Sequence, residues 1–313
     1  MHHSRSLREA YADRCFRWVL NAAVYVVLIA LAGAILSMLW GGREALRLQG
    51  LRFFYTTEWN PAENHFGALA PIYGTLVSAG MAIMIAVPIS FGIAFFLTDV
   101  APRWMRGPVS TAIELLAGIP SIIYGMWGLY TLVPFMAKYI VPWLISHLGP
   151  IALIGPLFQG PDFGIGLLTA GLVLAVMIIP FICSVMREVF LAVPSHLKES
   201  AYALGSTKWE VNWNIVLPYT RSAVIGGIFL GLGRALGETM AVAFVIGNTV
   251  RISPSLLEPG TTIAALIAND FGEATASYRS ALLLLGFVLF IVTFTVLALA
   301  RFLLLRLARK EGR

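Results

Sequence analysis

The segment PSHLKESAYALGSTKWEVNWNIVLP, residues 194–218, is a polar interruption between two long apolar runs. Ser195 is suited to cap a first helix, Leu197 to Leu204, because its hydroxyl can accept a hydrogen bond from a free backbone N–H. Gly205 follows, and glycine readily adopts the left-handed conformation that ends many helices. The first part of the segment therefore predicts a short helix that stops at a glycine turn.

The second part of the same segment carries a helix start signal. Thr207 and Glu210 have the spacing of a capping box, in which each side chain bonds the backbone N–H of the other residue. We expect Pro218 to end this second helix, because proline lacks an N–H and crowds the preceding turn. The segment as a whole predicts a helix, a glycine turn and a helix.

The composition places the chain among membrane proteins. Its 313 residues are 58% hydrophobic and 12% charged, with a mean hydropathy of +0.82. Soluble domains carry about 25% charged residues, roughly twice this share. Six runs of the about 20 apolar residues that a spanning helix needs are present, which predicts an all-α polytopic protein. The six runs are Phe16–Leu39, Leu69–Leu97, Val109–Phe135, Phe163–Met186, Ser222–Gly247 and Ala281–Ala300.

The positive charges predict how the chain is oriented. Fifteen of the 22 Lys and Arg residues fall in the two terminal segments and in the loops on the same side of the predicted spans, and six fall on the other side. Because Lys and Arg are enriched in cytoplasmic loops, we expect both termini in the cytoplasm. This asymmetry explains the net charge of +6 without nucleic acid. The first run is too long for a signal peptide, so we expect an uncleaved span.

Two stretches between the runs are less regular. Met136–Gly160 is apolar but contains a lysine, a histidine and three prolines, so it is either a seventh span or, as we favour, a loop on the outer surface. Gly41–Phe66 is polar and aromatic, which indicates an outer loop.

The fifth run contains GLGRALGETMAV, residues 231–242, with two charges, Arg234 and Glu238. Four residues apart on one helix, they share a face and can form an ion pair. Gly227 and Gly231 are predicted on that face, where small residues let another helix or a solute approach. An arginine inside a span costs about 2.5–3.5 kcal/mol on insertion scales. The pair is either a structural salt bridge or, as we favour, an anion site in which the guanidinium binds oxyanion oxygens.

The segment 194–218 resembles the EAA loop of ABC-importer permeases (E-A-A-x3-G-x9-I-x-L-P), with serine in place of one alanine. The matching residues are Glu199, Ser200, Ala201 and Gly205, followed by the I-x-L-P that ends at Pro218. In that family the loop docks on an ATPase subunit. GLGRALGETMAV and three other stretches resemble, more narrowly, a permease subunit of phosphate-specific ABC importers. These others are GALAPIYGTL (67–76), IELLAGIPSIIYGMWGL (113–129) and FGIGLLTAGLVLAVMIIPFI (163–182).

The resemblance implies several partners and no cofactor in this chain. It implies a second permease subunit (PstA-like), two ATPase subunits (PstB-like) that bind ATP and Mg, and an external phosphate-binding protein (PstS-like). The chain has no GxxxxGK[ST] loop of its own, so we expect a transport subunit and not an enzyme. Arg234 and Glu238 fall on charged positions that the family uses for translocation.

The apolar runs and the loops between them divide the chain. We expect a cytoplasmic segment 1–15, a first span 16–39, an outer loop 40–68, a permease core 69–305 with the coupling loop 194–218, and a basic tail 306–313.

Rival functions are a permease for sulfate or molybdate, an ion-coupled secondary transporter, and an assembly or sensor subunit without a pathway.

Three further residues are candidates for a gate or hinge. Glu114 lies near the cytoplasmic end of the predicted third span, where an acid reaching a neighbouring Ser or Tyr is the favoured interpretation and an inner gate the alternative. Pro120 predicts a kink, and Ser121 is placed to satisfy a freed carbonyl. We expect Cys15 and Cys183 to be free thiols, and no metal site.

Overall fold

A computed structural model describes the backbone of residues 2–310 and the side chains of residues 11–302 and 306. This part is mostly helical, which confirms the all-α prediction, and it also has a two-stranded antiparallel hairpin of β1 (Trp59–Asn60) and β2 (His65–Phe66). The α-helices are α1 (His2–Gly41), α2 (Arg43–Gln49), α3 (Leu69–Phe95), α4 (Arg103–Ala117), α5 (Ser121–Trp127), α6 (Val133–Phe135), α7 (Val141–His147), α8 (Leu167–Leu191), α9 (Ser195–Ala203), α10 (Lys208–Val211), α11 (Leu217–Leu236), α12 (Met240–Ala243), α13 (Ile263–Asp270) and α14 (Ala276–Lys310). The predicted basic tail extends past the described residues.

Six helical stretches of the described chain are long and apolar enough to cross a membrane, in agreement with the predicted number. They are Tyr11–Gly41, Leu69–Val100, Ser121–His147, Leu167–Leu191, Lys208–Leu236 and Ala276–Phe302. Two of them differ in position from the prediction. The third begins at Ser121 and not at Val109, and the fifth begins at Lys208 and not at Ser222.

The spans define two ends of the bundle. We call the end formed by residues 96–106 and 187–215 the loop end, and the end formed by residues 41–68, 148–166 and 247–275 the hairpin end. Helix α8 is the most buried span, with 61% of its most apolar window inside the molecule, and it packs against α3, α4 and α11. Its side chains Leu174, Ile178 and Ile182 lie at the centre of the main core. Because α8 packs against α3, α4 and α11, it fixes the positions of the side chains on these helices that face it.

Helix α1 is attached to the bundle near its C-terminal end. None of its most apolar window is buried within the chain. At its C-terminal end, the Ser280 hydroxyl donates to the Gly41 carbonyl at 2.7 Å and accepts from the Ala45 N–H at 3.1 Å. The rest of its described apolar surface faces outward, as a span in contact with lipid requires.

Proline residues explain why the third span differs from the prediction. Short π-helical segments, Gly128–Leu132 and Met136–Ile140, come just before Pro134 and Pro142. In each case the residue that precedes the proline donates its N–H to the carbonyl five residues back. This wider turn accommodates a residue that has no N–H and whose ring would crowd a normal turn. The helix therefore runs on to His147, so the outer-surface loop predicted for 136–160 is wrong for residues 136–147, and the alternative of a seventh span is wrong; residues 148–160 lie outside the span.

A π-helical turn also explains why the prediction for Pro218 is wrong. A π-helical segment, Asn212–Val216, leads directly into α11, and the Leu217 N–H bonds the Asn212 carbonyl five residues back. Pro218 lies in the first turn of α11, where a missing N–H is tolerated. The second helix of the 194–218 segment is thus the start of the fifth span and does not end at Pro218.

The remaining local predictions for the 194–218 segment are largely correct. The Thr207 hydroxyl accepts from the Glu210 N–H at 3.3 Å and a Glu210 carboxylate oxygen accepts from the Thr207 N–H at 2.7 Å, which completes the capping box. Gly205 has a φ of +88°, the left-handed conformation expected of it. The predicted cap at Ser195 is wrong, because α9 begins at Ser195 itself, two residues before the predicted start at Leu197, and Pro194 is the N-cap.

Candidate functional site

Arg234 lies in the last turn of α11 and faces α8. Its guanidinium carbon is 5.8 Å from the centre of the Phe181 ring, a distance at which a cation is attracted to an aromatic face. The side chain is half-buried in this chain. Among the described residues, no carboxylate lies within ion-pair distance of Arg234. The guanidinium is therefore available to a ligand or to another chain.

The two glycines predicted to share the face of Arg234 pack against α8. A Cβ on Gly231 would lie 2.7 Å from the Ile182 side chain, and one on Gly227 would lie 2.7 Å from Val185. Of the two predicted roles for these small residues, the structure shows the approach of another helix. This close approach holds the last turn of α11, with Arg234, against α8.

Glu238 is not on the same helix as Arg234, which corrects the predicted shared face. Helix α11 ends at Leu236, and Gly237 follows as its C-cap. Glycine is a poor helix residue because it loses much conformational freedom when ordered. The Glu238 carboxylate accepts a hydrogen bond from the Ala241 N–H at 3.2 Å, so it caps the short helix α12. An acid at the N-terminus of a helix is also favoured by the helix dipole.

The predicted kink at Pro120 is a complete break between α4 and α5. Gly118 ends α4 and Pro120 precedes the first residue of α5, Ser121. The Tyr124 hydroxyl donates to the Leu116 carbonyl across the break at 2.9 Å. The freed carbonyl at 116 is thus bonded by Tyr124, not by Ser121 as predicted. Tyr124 is buried and within electrostatic reach of Arg234, which connects the break to the candidate site.

Glu114 lies on α4, outside the third span. Its carboxylate is 3.7 Å from the Arg187 guanidinium on α8, which also contacts Glu188 at 2.6 Å. The predicted contact with a Ser or Tyr is replaced by an ion pair with an arginine. Because the Glu114 side chain is largely exposed, this pair is expected to contribute little to stability.

The 194–218 segment presents an exposed tip at the loop end. Glu199, Ser200 and Gly205 are exposed, whereas Ala201 is buried against the bundle. Leu204, at the end of α9, is 88% exposed. An apolar side chain this exposed beside a tight turn is suited to contact another protein.

Two other predicted features concern cysteine and metal. Cys15 and Cys183 are free thiols in the described chain, as predicted. Glu58, Glu63 and His65 come close enough at the hairpin end to hold a cation, a grouping that the sequence did not reveal. All three are exposed, and exposed acidic groups of this kind are common without a metal.

The structure identifies residues that sequence reasoning missed. Tyr124, Phe181, Arg187 and Asp99 all contact predicted site residues or the elements that carry them. A charged residue such as Asp99 close to the end of an apolar run was a usable signal. The aromatic residues had none, because aromatic side chains are common in spans.

Gly125 gives a prediction about how α12 is held. A Cβ on Gly125 would lie 3.0 Å from the Ala241 Cα and 2.8 Å from the Phe244 ring. We expect Gly125→Val to lower the free energy of unfolding by about 1–3 kcal/mol, because overpacking forces backbone shifts. Thermal unfolding of the purified protein in detergent measures this. Gly92→Val is the control, since a Cβ at Gly92 meets nothing within 4 Å; equal effects of the two variants would contradict the prediction.

Comparison with known proteins adds a family match and two relatives. Residues 86–310 match the family described as "Binding-protein-dependent transport system inner membrane component". A relative from Xylella fastidiosa, "Phosphate transport system permease protein PstC", is 77% identical over 308 residues, which cover 98% of this chain and 95% of the relative. A relative of the same name from Pasteurella multocida is 55% identical, over 98% of this chain and 96% of the relative.

One solved structure has a similar fold. It is the crystal structure of a bacterial ABC transporter involved in the import of the acidic polysaccharide alginate. A chain of that transporter aligns with a TM-score of 0.60 at 18% identity, over 95% of this chain and 99% of that chain. At this identity the similarity concerns the fold alone.

Proposed function

We propose a function from one premise: the chain belongs to the family of binding-protein-dependent transport system inner membrane components, and within it to the phosphate transport system permeases. It is a multi-pass inner membrane protein and the permease subunit of an ATP-driven importer that moves inorganic phosphate into the cytoplasm. It is a transport component and not an ATPase. Phosphate is assigned as the substrate because the chain is 77% identical, over almost its whole length, to a phosphate permease.

Arg234 is the residue proposed to bind phosphate. It is half-buried, lies in a membrane span and has no acidic partner among the described residues within ion-pair distance. A guanidinium presents parallel N–H donors that match two phosphate oxygens. The carboxylate of Glu238, four residues further along the chain and outside α11, repels the bound phosphate, so that binding stays weak enough for release.

The phosphate path lies on the open side of α11. A pocket of about 230 Å³ in the chain has a mostly apolar lining that includes Ile113 and Val176, and the hydroxyl of Tyr124, which also lines it, already donates to the Leu116 carbonyl. Such a cavity does not stabilise an anion, because a charge without hydrogen-bond partners is costly away from water. We therefore place the path between Arg234 and a second permease subunit, which covers the exposed part of this face.

The loop end is proposed to face the cytoplasm, with both chain termini, and to bind the ATPase subunits. The tip of α9, with Glu199, Ser200 and Gly205 exposed and Leu204 beside them, is the docking surface. Because α10 and α11 are joined through the π-helical segment, a push on this tip moves the helix that carries Arg234. ATP and Mg belong to the ATPase subunits, and an external phosphate-binding protein delivers the anion.

Uptake of radiolabelled phosphate tests this function. Cells that lack the chain are expected to recover uptake when it is restored, and to lose uptake again when the ATPase partner is removed. Excess sulfate or molybdate is expected to leave uptake unchanged. Uptake that persists without the ATPase would identify an ion-coupled transporter, and strong competition by sulfate or molybdate would identify another oxyanion as substrate.

A further inference from the structure

Asp99 joins three elements at the loop end. It lies in the π-helical segment Phe96–Val100, which follows α3. One carboxylate oxygen is 3.5 Å from the Lys198 ammonium on α9, and the other accepts from the Asn212 amide at 2.9 Å. The neighbouring Thr98 hydroxyl donates to that second oxygen at 2.8 Å. The end of α3, the α9 helix and the start of the fifth span therefore meet at one carboxylate.

The contacts of Asp99 are shielded from water. The Asp99 and Lys198 side chains are 11% and 16% exposed, and Asn212 is 2% exposed. Buried, charge-assisted hydrogen bonds are stronger than those on the surface, and removing one member leaves the others unsatisfied. These contacts are consequently expected to hold their geometry, unlike the exposed pair at Glu114.

The side-chain amide of Asn212 is oriented so that its nitrogen faces the Asp99 carboxylate. Its nitrogen donates both to Asp99 and to the Lys208 carbonyl, at 2.9 and 3.4 Å. Its oxygen is buried and has no hydrogen-bond partner in the described chain. A buried acceptor without a partner costs about 1–3 kcal/mol. The amide thus keeps the orientation that serves the carboxylate despite the cost to its own oxygen.

Tyr202, in the last turn of α9, gives independent support. Burial raises the pKa of Tyr202, and the negative charge of Asp99 raises it further. The carboxylate therefore contacts α9 at Lys198 and acts electrostatically on Tyr202 in its C-terminal turn.

We propose that Asp99 is a positioning residue for energy coupling: it fixes the α9 helix to the start of the fifth span, so that a push by the ATPase on α9 reaches Arg234. This inference rests on the proposed function. From Asn212 to Arg234 the helix rises by roughly 33 Å, at 1.5 Å per residue. A rigid joint at Asn212 is what allows a small displacement of α9 to move so distant a residue.

The test measures coupling and not only the amount of transport. The complete importer, with its partner subunits, is placed in proteoliposomes, and the ATP hydrolysed per phosphate imported is recorded. We expect Asp99→Asn to raise this ratio about tenfold, because it removes the charge that attracts Lys198 while an amide can still bond Asn212. A role in folding alone would lower the amount of protein and leave the ratio unchanged.

Glu188→Gln is the matched control, because Glu188 is an exposed acid near the same end whose carboxylate contacts Arg187. It is expected to leave the ratio unchanged. Should Asp99→Asn not reach the membrane, Lys198→Met tests the same contact and is expected to raise the ratio similarly. A wild-type ratio in these variants would overturn this inference alone, whereas no ATP-dependent uptake by the unchanged protein would overturn the proposed function as well.

Discussion

Replacing Arg234 with glutamine is expected to lower phosphate uptake by about 10- to 100-fold, while the protein remains in the membrane at its normal level. A hydrogen bond to a charged group contributes about 1.5–3 kcal/mol, and each ~1.4 kcal/mol corresponds to a factor of ten. Insertion is not expected to suffer, because the variant removes a charge that has no acidic partner in the described chain and lies in a span. Uptake of radiolabelled phosphate, normalised to membrane level, is the measurement.

Arg279 provides a matched control for this prediction. Its guanidinium carbon lies 5.5 Å from the centre of the Phe271 ring, close to the 5.8 Å between Arg234 and Phe181. Arg279→Gln therefore removes the same charge and a similar aromatic contact, but on an exposed residue in the first turn of α14, next to the hairpin end. We expect it to leave uptake nearly normal. Wild-type uptake by Arg234→Gln would instead support an assembly or sensor subunit without a pathway.

Two variants of Glu238 separate its charge from its hydrogen bond. Glu238→Gln keeps an oxygen that can accept from the Ala241 N–H, whereas Glu238→Ala removes both the charge and the cap. If the charge governs release of phosphate, both variants change uptake. If the cap alone matters, Glu238→Ala lowers stability by about 0.5–2 kcal/mol and Glu238→Gln has little effect.

The second large effect is expected at Gly205. We expect Gly205→Asp to lower phosphate uptake at least about tenfold while the ATPase subunits continue to hydrolyse ATP. The φ of +88° is a conformation that costs a non-glycine residue roughly 1–2 kcal/mol, so the turn after α9 must rearrange. A Cβ there meets nothing within 4 Å, so the substitution does not disturb the core and the protein is expected to insert normally. Uptake and ATP hydrolysis by the purified importer are measured together.

Gly50 is the control for Gly205. It has a φ of +57°, and a Cβ there also meets nothing within 4 Å, but it lies at the hairpin end. Gly50→Asp therefore also introduces backbone strain at a positive φ, but far from the proposed ATPase surface. Normal uptake by Gly205→Asp at normal membrane level would argue against docking at this tip, and equal losses in both variants would assign the effect to strain alone.

Local signals in the sequence predicted much of the fold. Apolar runs predicted six spans, because crossing a bilayer requires a long helix whatever its neighbours are. The capping box at Thr207 and Glu210 and the left-handed Gly205 were also correct, since caps and glycine turns depend on residues a few positions apart. The charged residue in the fifth run was visible for the same reason, as a departure from an apolar pattern.

The tertiary structure decided what depends on distant contacts or on competing local choices. Pro142 and Pro218 predicted breaks, but π-helical turns accommodate them because the spans gain more from continuing through the packed bundle. The separation of Glu238 from Arg234 follows from the end of α11 at Leu236, where the last turn is held against α8. Asp99 meets Lys198 and Asn212 from about 100 residues away, and a pattern of spacings cannot encode a contact that only folding brings together.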